Sequence, residues 1–305
     1  MRLWTLPLLT LLTLAVGCQP LSGTRGGSDD DDAANDDDAA NDDDATDDDD
    51  ATDDDDATDE GNPFGEAVDC TSFQTGTMTM SVGSTSRTLE IELPDDPEGA
   101  PVVFAWHWLG GTASQTLDWM GVRSLADEGY IIVAPESSGL QFEWDFNSAG
   151  AGNVDLALFD AVLPCLWEEY GVDADRIYST GMSAGGLMTT FLTMHRAADL
   201  AATAPFSGGA FAASYRAPDT NLPVLVSWGG PSDTYGGYDF HGASLEFLDM
   251  LDEDGHFTVA CDHGGGHLPP AEAVDMISRF FADHDRGDLS PWANGLPTEL
   301  PAWCD

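Results

Sequence analysis

The sequence predicts an α/β domain in which helices cover both faces of a mostly parallel sheet. From residue 101 onward, short apolar runs alternate with segments of helical spacing, and this alternation builds parallel sheets from strand–helix–strand units. Several runs, such as 101–108, are apolar at almost every position, as in strands buried on both faces. Roughly 240 residues follow the leader and tail described below, which is enough for one sizeable domain. We place this domain at 66–305.

The order of the elements follows from the period of their apolar residues and from the turn residues between them. A turn of Gly, Ser, Thr and Ser at 83–86 joins the first two strands into a hairpin. The predicted strands cover 77–82, 87–93, 101–108, 130–134, 176–180, 201–205, 222–228 and 257–261. The predicted helices cover 116–128, 154–170, 184–195, 245–254 and 271–283.

Residues 1–17 predict a lipoprotein signal peptide. Arg2 supplies a positive charge, and the apolar run at 3–16 is too short to span a bilayer as a helix. The run ends in Leu-Ala-Val-Gly before Cys18, which resembles a bacterial lipobox, so Cys18 is predicted to carry lipid after cleavage. The protein is then expected at the cell envelope or cell surface, with release to the outside as a further outcome. Plain secretion with cleavage nearby is the alternative.

The cysteine count agrees with lipidation. The chain has five cysteines, and an odd number in an exported protein needs an explanation. Lipidation of Cys18 leaves four, which can form two disulfides in an oxidising compartment. Of the three connectivities, we favour Cys70 with Cys304, because these two bracket the domain, and Cys165 with Cys261 then remain.

Residues 18–65 predict a disordered, Asp-rich spacer behind the lipid anchor. Asp clusters separated by Ala-Ala-Asn or Ala-Thr recur with a period near six, and no apolar residue larger than Ala lies between Asp29 and Glu60. Such a segment cannot form a core, and its like charges keep it extended. Weak calcium binding is the alternative, because clustered carboxylates suit hard cations. However, no Asp-x-Asp-x-Asp-Gly loop with a closing Glu is present.

The charge balance limits the partners. The chain has 56 acidic and nine basic residues, all nine of them Arg, and a net charge of −47. Such a surface repels nucleic acid and anionic lipid and favours solubility. We therefore expect no nucleic-acid partner, and contact with a membrane through the lipid anchor only.

A candidate nucleophile lies in the segment Gly-Met-Ser-Ala-Gly at 181–185, which fits the pattern G-x-S-x-G. In this pattern the serine occupies a sharp turn between a strand and a helix, so that its hydroxyl projects above the sheet. The predicted strand 176–180 ends at the motif, and the predicted helix 184–195 begins within it. This context predicts Ser183 as the nucleophile.

A serine hydroxyl attacks a carbonyl only when a base removes its proton, and in this fold the order along the chain is Ser, acid, His. His267, at the end of Gly-Gly-Gly-His, is the predicted base, with His263 and His256 as competitors. Asp233 follows the apolar run 222–228 and is the predicted acid, with Asp239 as the alternative. The acid would hold the imidazole in the correct tautomer.

The oxyanion of the tetrahedral intermediate needs preorganised N–H donors. One is predicted to be the backbone N–H of Ala184, which follows the nucleophile. The other is expected from the loop 107–112, where we assign the N–H of Leu109, with Trp108 as the alternative. His107 is predicted to fix this loop by hydrogen bonding.

Two of four tryptophans near the predicted site are candidates for substrate binding. Trp108 and Trp144 both lie in loops after predicted strands, so we assign them to the substrate pocket. Trp106 is predicted to lie in the core, and Trp119 to pack a helix face.

These features resemble secreted α/β-hydrolases similar to polyhydroxybutyrate depolymerases and feruloyl esterases. The resembling segments are FAWHWLGG at 104–111, the residues 155–163, DRIYSTGMSAGG at 175–186, APFSGG at 204–209 and GGGH at 264–267. The resemblance implies the α/β-hydrolase fold and Ser-Asp-His catalysis of ester cleavage without a metal. No cofactor is expected.

The sequence therefore predicts a serine esterase that acts through an acyl-enzyme on small or polymeric esters of the hydroxybutyrate, feruloyl or acetyl type. One alternative is a serine peptidase on the same fold, ranked lower because no propeller domain that would gate peptides is visible. The other is a surface-binding lipoprotein without catalysis.

Overall fold

The computed structural model describes residues 61–146 and 148–305, all within one compact unit, and eight strands of this part form one sheet. The signal peptide, the lipid site Cys18 and most of the predicted spacer lie outside the described residues. The sheet strands are β1 (Gly76–Val82), β2 (Thr85–Glu92), β3 (Val102–Trp106), β4 (Ile131–Pro135), β5 (Ile177–Met182), β6 (Ala202–Phe206), β7 (Val224–Trp228) and β10 (Thr258–Asp262). A separate hairpin consists of β8 (Thr234–Tyr235) and β9 (Tyr238–Asp239).

The sheet is mostly parallel, as predicted. Its order is β1-β2-β4-β3-β5-β6-β7-β10. The six strands from β4 to β10 in this order pair in parallel, while β1 and β2 add an antiparallel edge. The carboxyl ends of the parallel strands therefore meet at one edge of the sheet, where loops carry the candidate site.

Helices cover both faces, which confirms the predicted architecture. They are α1 (Ala113–Trp119), α2 (Val154–Tyr170), α3 (Ala184–His195), α4 (Phe240–Glu253) and α5 (Ala273–Ala282). Helices α2, α3 and α4 enclose one apolar core with Phe104 and Phe159, and α1 and α5 enclose a second with Phe206 and Phe280. Strands β3 to β7 are buried at every position because both of their faces are covered. Within the described residues, no helix is long and apolar enough to cross a membrane.

Two predicted helices differ from the observed ones. The predicted helix 116–128 is divided, since α1 ends at Trp119 and a 3₁₀ helix, Val122–Glu128, follows. Gly121 lies between them with a φ of 73°, a left-handed conformation that ends an α-helix. Helix α4 begins at Phe240 rather than at 245, because the side chain of Asp239 accepts the N–H of Gly242 and caps the helix there.

The predicted disulfide pairing is wrong. Cys70 pairs with Cys165, and Cys261 pairs with Cys304. The prediction of Cys70 with Cys304 and Cys165 with Cys261 assumed that the two ends of the domain meet. They do not, because each end packs against its own neighbour.

The two ends of the domain lie on different elements. At the amino-terminal end, the side chain of Asn62 donates to the carbonyl of Pro164 in α2 at 2.9 Å. At the carboxyl-terminal end, Asp305 and Ala260 of β10 exchange two backbone hydrogen bonds of 2.9 Å. Each disulfide joins an end to the element beside it. The contact of Asn62 also places the start of the packed region before residue 66.

Candidate active site

Ser183 occupies the sharp turn between β5 and α3, with φ 60° and ψ −119°. This left-handed conformation is disfavoured for a residue with a side chain, by about 1–3 kcal/mol, and such outliers concentrate at functional sites. The turn fits only because its flanking residues are glycines. A Cβ on Gly185 would lie 1.9 Å from the carbonyl oxygen of Trp106, and a Cβ on Gly181 would lie 2.6 Å from the backbone of Gly185.

Ser183, His267 and Asp233 form a continuous hydrogen-bonded chain. Nε2 of His267 lies 2.8 Å from Oγ of Ser183, and Nδ1 of His267 lies 2.7 Å from Oδ1 of Asp233. The second carboxylate oxygen of Asp233 accepts the hydroxyl of Ser207 at 2.7 Å and the N–H of Gly229 at 2.8 Å. The imidazole is thus placed between an alcohol and a buried carboxylate.

The carboxylate of Asp233 is held in its charged form. The side chain is fully buried, and burial alone raises the pKa of a carboxyl group. Hydrogen bonds from His267, the amide of Gly229 and the hydroxyl of Ser207 outweigh burial, so the pKa of Asp233 lies below its ordinary value. An ionised acid at this position stabilises a positively charged imidazole.

Close backbone packing brings the acid loop and the histidine loop together. Gly266 donates its N–H to the carbonyl of Gly229 at 2.8 Å. A Cβ on Gly229 would lie 1.9 Å from the carbonyl oxygen of Gly266, so no larger residue fits. The ring of Phe240 packs on His267 at 4.4 Å between centroids, and the ring of Tyr235 stacks on it at 5.4 Å.

The competing residues lie elsewhere. His256 is buried, with Nδ1 beside the backbone of Leu222. The ring of His263 contacts Trp303, and Asp239 caps α4. The structure therefore brings Ser183 together with His267 and Asp233 rather than with these alternatives. Among the described residues, no group of three or more His, Cys, Asp or Glu is placed to hold a metal ion.

The peptide between Trp108 and Leu109 is held in one orientation. The ring of His107 accepts the N–H of Ser137 at Nε2, at 3.1 Å, so the ring proton is on Nδ1 and is donated to the carbonyl of Trp108 at 2.9 Å. The N–H of Gly111 donates to the same carbonyl at 2.9 Å. In a planar trans peptide the N–H points opposite to the carbonyl, so the N–H of Leu109 faces away from these two donors.

Ala184 is the first residue of α3, and the first N–H groups of a helix have no acceptor within it. Ala184 and Leu109 both line the cleft beside Ser183. The positive end of α3 adds a favourable field for negative charge there. These positions fit the predicted oxyanion donors, whose role stays a prediction.

Two clefts meet at Ser183, and both are also lined by Leu109 and Tyr235. The first, here the His267 cleft, has a volume of about 250 Å³ and is completed by Trp108, Trp119, Met182 and His267. The second, here the aromatic cleft, has a volume of about 290 Å³ and is completed by Phe142, Phe146, Ala184, Leu187, Gly236, Tyr238 and Phe240. Ser183 therefore faces both clefts.

The tryptophans require two corrections. The prediction that Trp144 lines the substrate pocket is wrong, because Trp144 is only 2% exposed, donates its Nε1–H to the carbonyl of His107 at 3.0 Å and packs against Trp106. Its buried ring therefore supports the loop 107–112 from the core side. Trp119, predicted to pack a helix face, is instead 44% exposed in the His267 cleft with its ring against Trp108 at 4.5 Å. Trp108 lies in the cleft as predicted, and Trp106 lies in the core as predicted.

Several cleft residues were missed from the sequence. Tyr235 and Tyr238 belong to the β8–β9 hairpin, which follows the acid directly and overlies the site. Gly236 and Gly237, both with positive φ, form its turn, and a Gly-Gly pair between two tyrosines is a recognised hairpin signal. Phe142 lies in the long loop after β4, and no local pattern predicts its position.

The comparisons with known proteins point to one class. The model of the prolyl oligopeptidase family matches residues 116–207, which include the serine turn. A solved structure described as native sOPH superposes with a TM-score of 0.66 at 17% identity, over 79% of this chain and 96% of that one. An acylaminoacyl peptidase of Pyrococcus horikoshii superposes with a TM-score of 0.54 at 15% identity, over 72% of this chain and 43% of that one. The chain has the α/β-hydrolase fold.

Within this class the chain resembles feruloyl esterases. A probable feruloyl esterase C of Aspergillus terreus is 32% identical over 121 residues, which cover 38% of this chain and 43% of that protein. Feruloyl esterase C of Emericella nidulans is 31% identical over 143 residues, covering 44% and 51%. Feruloyl esterase B of Thermothelomyces thermophilus is 31% identical over 134 residues, covering 42% and 46%. The matches span about half the length of these relatives, and the likeness to polyhydroxybutyrate depolymerases stays a prediction.

Proposed function

We propose that this protein is a serine esterase that hydrolyses carboxylic esters through Ser183, His267 and Asp233. The observation that carries the proposal is the hydrogen-bonded chain from the serine hydroxyl through the imidazole to a buried, ionised carboxylate. The strained turn at Ser183 supports it, because the fold keeps the nucleophile exposed to the clefts at a cost in stability. The resemblance to feruloyl esterases supports an ester as substrate.

The reaction has two steps. His267 takes the proton of Ser183 as the hydroxyl attacks the ester carbonyl, and the N–H groups of Ala184 and Leu109 stabilise the oxyanion. The protonated imidazole then gives its proton to the leaving alcohol, and an acyl-enzyme forms. Water, deprotonated by the same imidazole, then attacks the acyl carbon. The bond from that carbon to Oγ of Ser183 breaks, the acid leaves, and the imidazole returns the proton to Oγ.

The mechanism indicates which part of the ester lies in each cleft. The leaving oxygen must lie within hydrogen-bond reach of Nε2 of His267, so the alcohol occupies the His267 cleft. The acyl group then occupies the aromatic cleft, where Phe142, Phe146 and Tyr238 offer apolar ring surfaces. Among the predicted substrates this favours the feruloyl type over acetyl and hydroxybutyrate esters.

Substitutions in the two clefts are expected to act on different parts of the substrate. Trp119→Ala should raise KM for esters of large alcohols, and Phe142→Ala should raise KM for large aromatic acyl groups, each by roughly 5- to 30-fold, since an aromatic contact contributes about 1–2 kcal/mol. Methyl acetate serves as the small control substrate for both variants. Steady-state kinetics with a matched ester series measures the effect, and a reversed pattern would contradict the assignment of the clefts.

The proposed function is tested with p-nitrophenyl esters, methyl ferulate, acetyl-xylan and hydroxybutyrate oligomers. We expect hydrolysis of several of these esters and covalent labelling by a fluorophosphonate, both lost in Ser183→Ala. A protein that hydrolyses none of them and is not labelled would instead be a catalytically silent binding protein.

A serine peptidase is the second candidate, because the prolyl oligopeptidase model matches the chain. The same serine, histidine and acid would cleave an amide, so the geometry of the three residues does not separate the two functions. Peptide p-nitroanilides and the ester series are therefore compared by kcat/KM. Faster cleavage of peptides than of every ester would establish the peptidase.

We also propose that the protein is exported and anchored by lipid at Cys18, with the Asp-rich spacer between lipid and domain. The two disulfides support folding in an oxidising compartment. Radioactive palmitate should label the wild type in a bacterial host and not Cys18→Ser. Equal labelling of both would contradict the anchor.

A further inference from the structure

We propose that Glu143 is a positioning residue, whose carboxylate fixes the loop that supplies the second oxyanion donor. This inference rests on the proposed function, because it assigns a role in stabilising the oxyanion. Glu143 lies in a turn forty residues before Ser183, and its carboxylate lines neither cleft. It acts through the N–H of Gly110.

Glu143 is bonded directly to the loop 107–112, here called the oxyanion loop. Its Oε1 accepts the N–H of Gly110 at 2.8 Å, and its Oε2 accepts the hydroxyl of Ser137 at 2.5 Å. Gly110 follows Leu109, whose own N–H is the predicted donor. The carbonyl of the Trp108–Leu109 peptide is held by His107 and Gly111, and Glu143 holds the N–H of the next peptide. Two successive peptides are therefore fixed, and rotation of the first would break bonds at both.

The backbone of Glu143 supports a specific role for its side chain. Its φ is 68°, in the left-handed region that favours glycine, within a turn where its N–H donates to the carbonyl of Leu140 at 3.0 Å. Glycine would satisfy this conformation without strain. A glutamate there is explained by the bonds of its carboxylate to Gly110 and Ser137.

The segment that carries Glu143 is also bonded to residues at both ends of the oxyanion loop. Glu136 accepts the N–H of Ala113 at 3.0 Å, and Trp144 donates to the carbonyl of His107 at 3.0 Å. The N–H of Asp145 donates to Asp155 at 2.7 Å, a carboxylate buried at the start of α2. These bonds hold the segment 136–145 as a template. The bond from Trp144 fixes the peptide before the donor peptide, and the bond to Glu143 fixes the peptide after it.

Loss of the carboxylate should therefore reduce transition-state stabilisation rather than substrate binding. We expect Glu143→Ala to lower kcat by roughly 10- to 100-fold, since a donor displaced by about 1 Å loses much of its effect. KM should stay within about threefold, because Glu143 lines neither cleft. Affinity for a boronic acid that mimics the tetrahedral intermediate should fall in parallel with kcat.

Conservative and neighbouring variants distinguish a role in positioning the oxyanion donor from a general loss of folded structure. Glu143→Gln keeps an oxygen acceptor for Gly110 and should retain kcat within about threefold of the wild type. Ser137→Ala frees one carboxylate oxygen and should give a smaller loss than Glu143→Ala. Gln141→Ala, in the same exposed turn, is the matched control and should leave kcat unchanged. The melting temperature of each variant should stay within about 3 °C of the wild type.

The results decide between this inference and the proposed function. If the wild type hydrolyses esters and Glu143→Ala and Ser137→Ala do so at the same kcat, the positioning role is wrong. The role is equally wrong if KM rises as much as kcat falls while the melting temperature drops, because that pattern is general damage. A wild type without activity or fluorophosphonate labelling contradicts the proposed function instead.

Discussion

Replacing Ser183 with alanine is expected to lower kcat for p-nitrophenyl esters by about 10⁴- to 10⁶-fold, the range seen when a serine nucleophile is removed. The variant loses the oxygen that attacks the carbonyl, while the clefts and the two oxyanion donors remain. His267→Ala should cost a similar factor, because the hydroxyl, 2.8 Å from the imidazole, then has no base. The double variant should be little slower than either single variant, because both residues act in the same step. Initial rates at saturating ester, with labelling by a fluorophosphonate, measure these losses.

The fold supplies a matched control for this prediction. Ser214→Ala removes an exposed serine whose hydroxyl donates to the carbonyl of Phe211. It should keep both kcat and labelling. If Ser183→Ala keeps more than a hundredth of the wild-type kcat, another residue attacks the ester and the proposed mechanism is wrong.

The candidate nucleophile was predictable from sequence because its geometry is encoded locally. Gly181 and Gly185 are needed within a few residues of Ser183, and the strand and helix around them have their own apolar periods. His267 and Asp233 were predictable for a different reason. Each follows a parallel strand of the sheet, and the carboxyl ends of parallel strands share one edge, so topology brings them together.

Features decided by contacts between distant segments were not predictable in this way. The disulfide pairing depends on which element each end of the domain packs against, and no local pattern records this. Trp144 follows a strand just as Trp108 does, yet it packs beneath the loop because the carbonyl of His107 offers its Nε1–H an acceptor. The bond from Gly110 to Glu143 joins residues from loops after two different strands. Such contacts decide the shape of the clefts and the conformation of the oxyanion loop.

The second large effect is expected for Asp233→Asn, which should lower kcat by about 10⁴-fold through the wrong imidazole tautomer. Asp233 accepts three hydrogen bonds, from His267, Ser207 and Gly229. An amide has only one oxygen. If that oxygen keeps the bonds to Ser207 and Gly229, the NH₂ group faces Nδ1 of His267 and forces the ring proton onto Nε2. The imidazole then cannot accept the proton of Ser183.

Asp239→Asn is the matched control, because asparagine caps a helix as well as aspartate does and Asp239 caps α4. Its kcat should stay within about threefold of the wild type. The two variants thereby separate the predicted acid from its alternative. A larger loss in Asp239→Asn than in Asp233→Asn would reverse the assignment.

The pH dependence of stability gives an independent check on Asp233, because its pKa in the folded protein lies below its ordinary value. A carboxyl group with a lowered folded pKa stabilises the protein fully above its unfolded pKa of about 3.9, and this contribution is lost as the pH falls through the folded pKa. The free energy of unfolding of the wild type should therefore exceed that of Asp233→Asn most clearly near pH 6. The difference should shrink as the pH falls below about 4. Denaturant titrations of both proteins at pH 6 and at pH 3 measure it, and a difference that grows in acid would mean that burial, rather than the three donors, sets the state of this carboxylate.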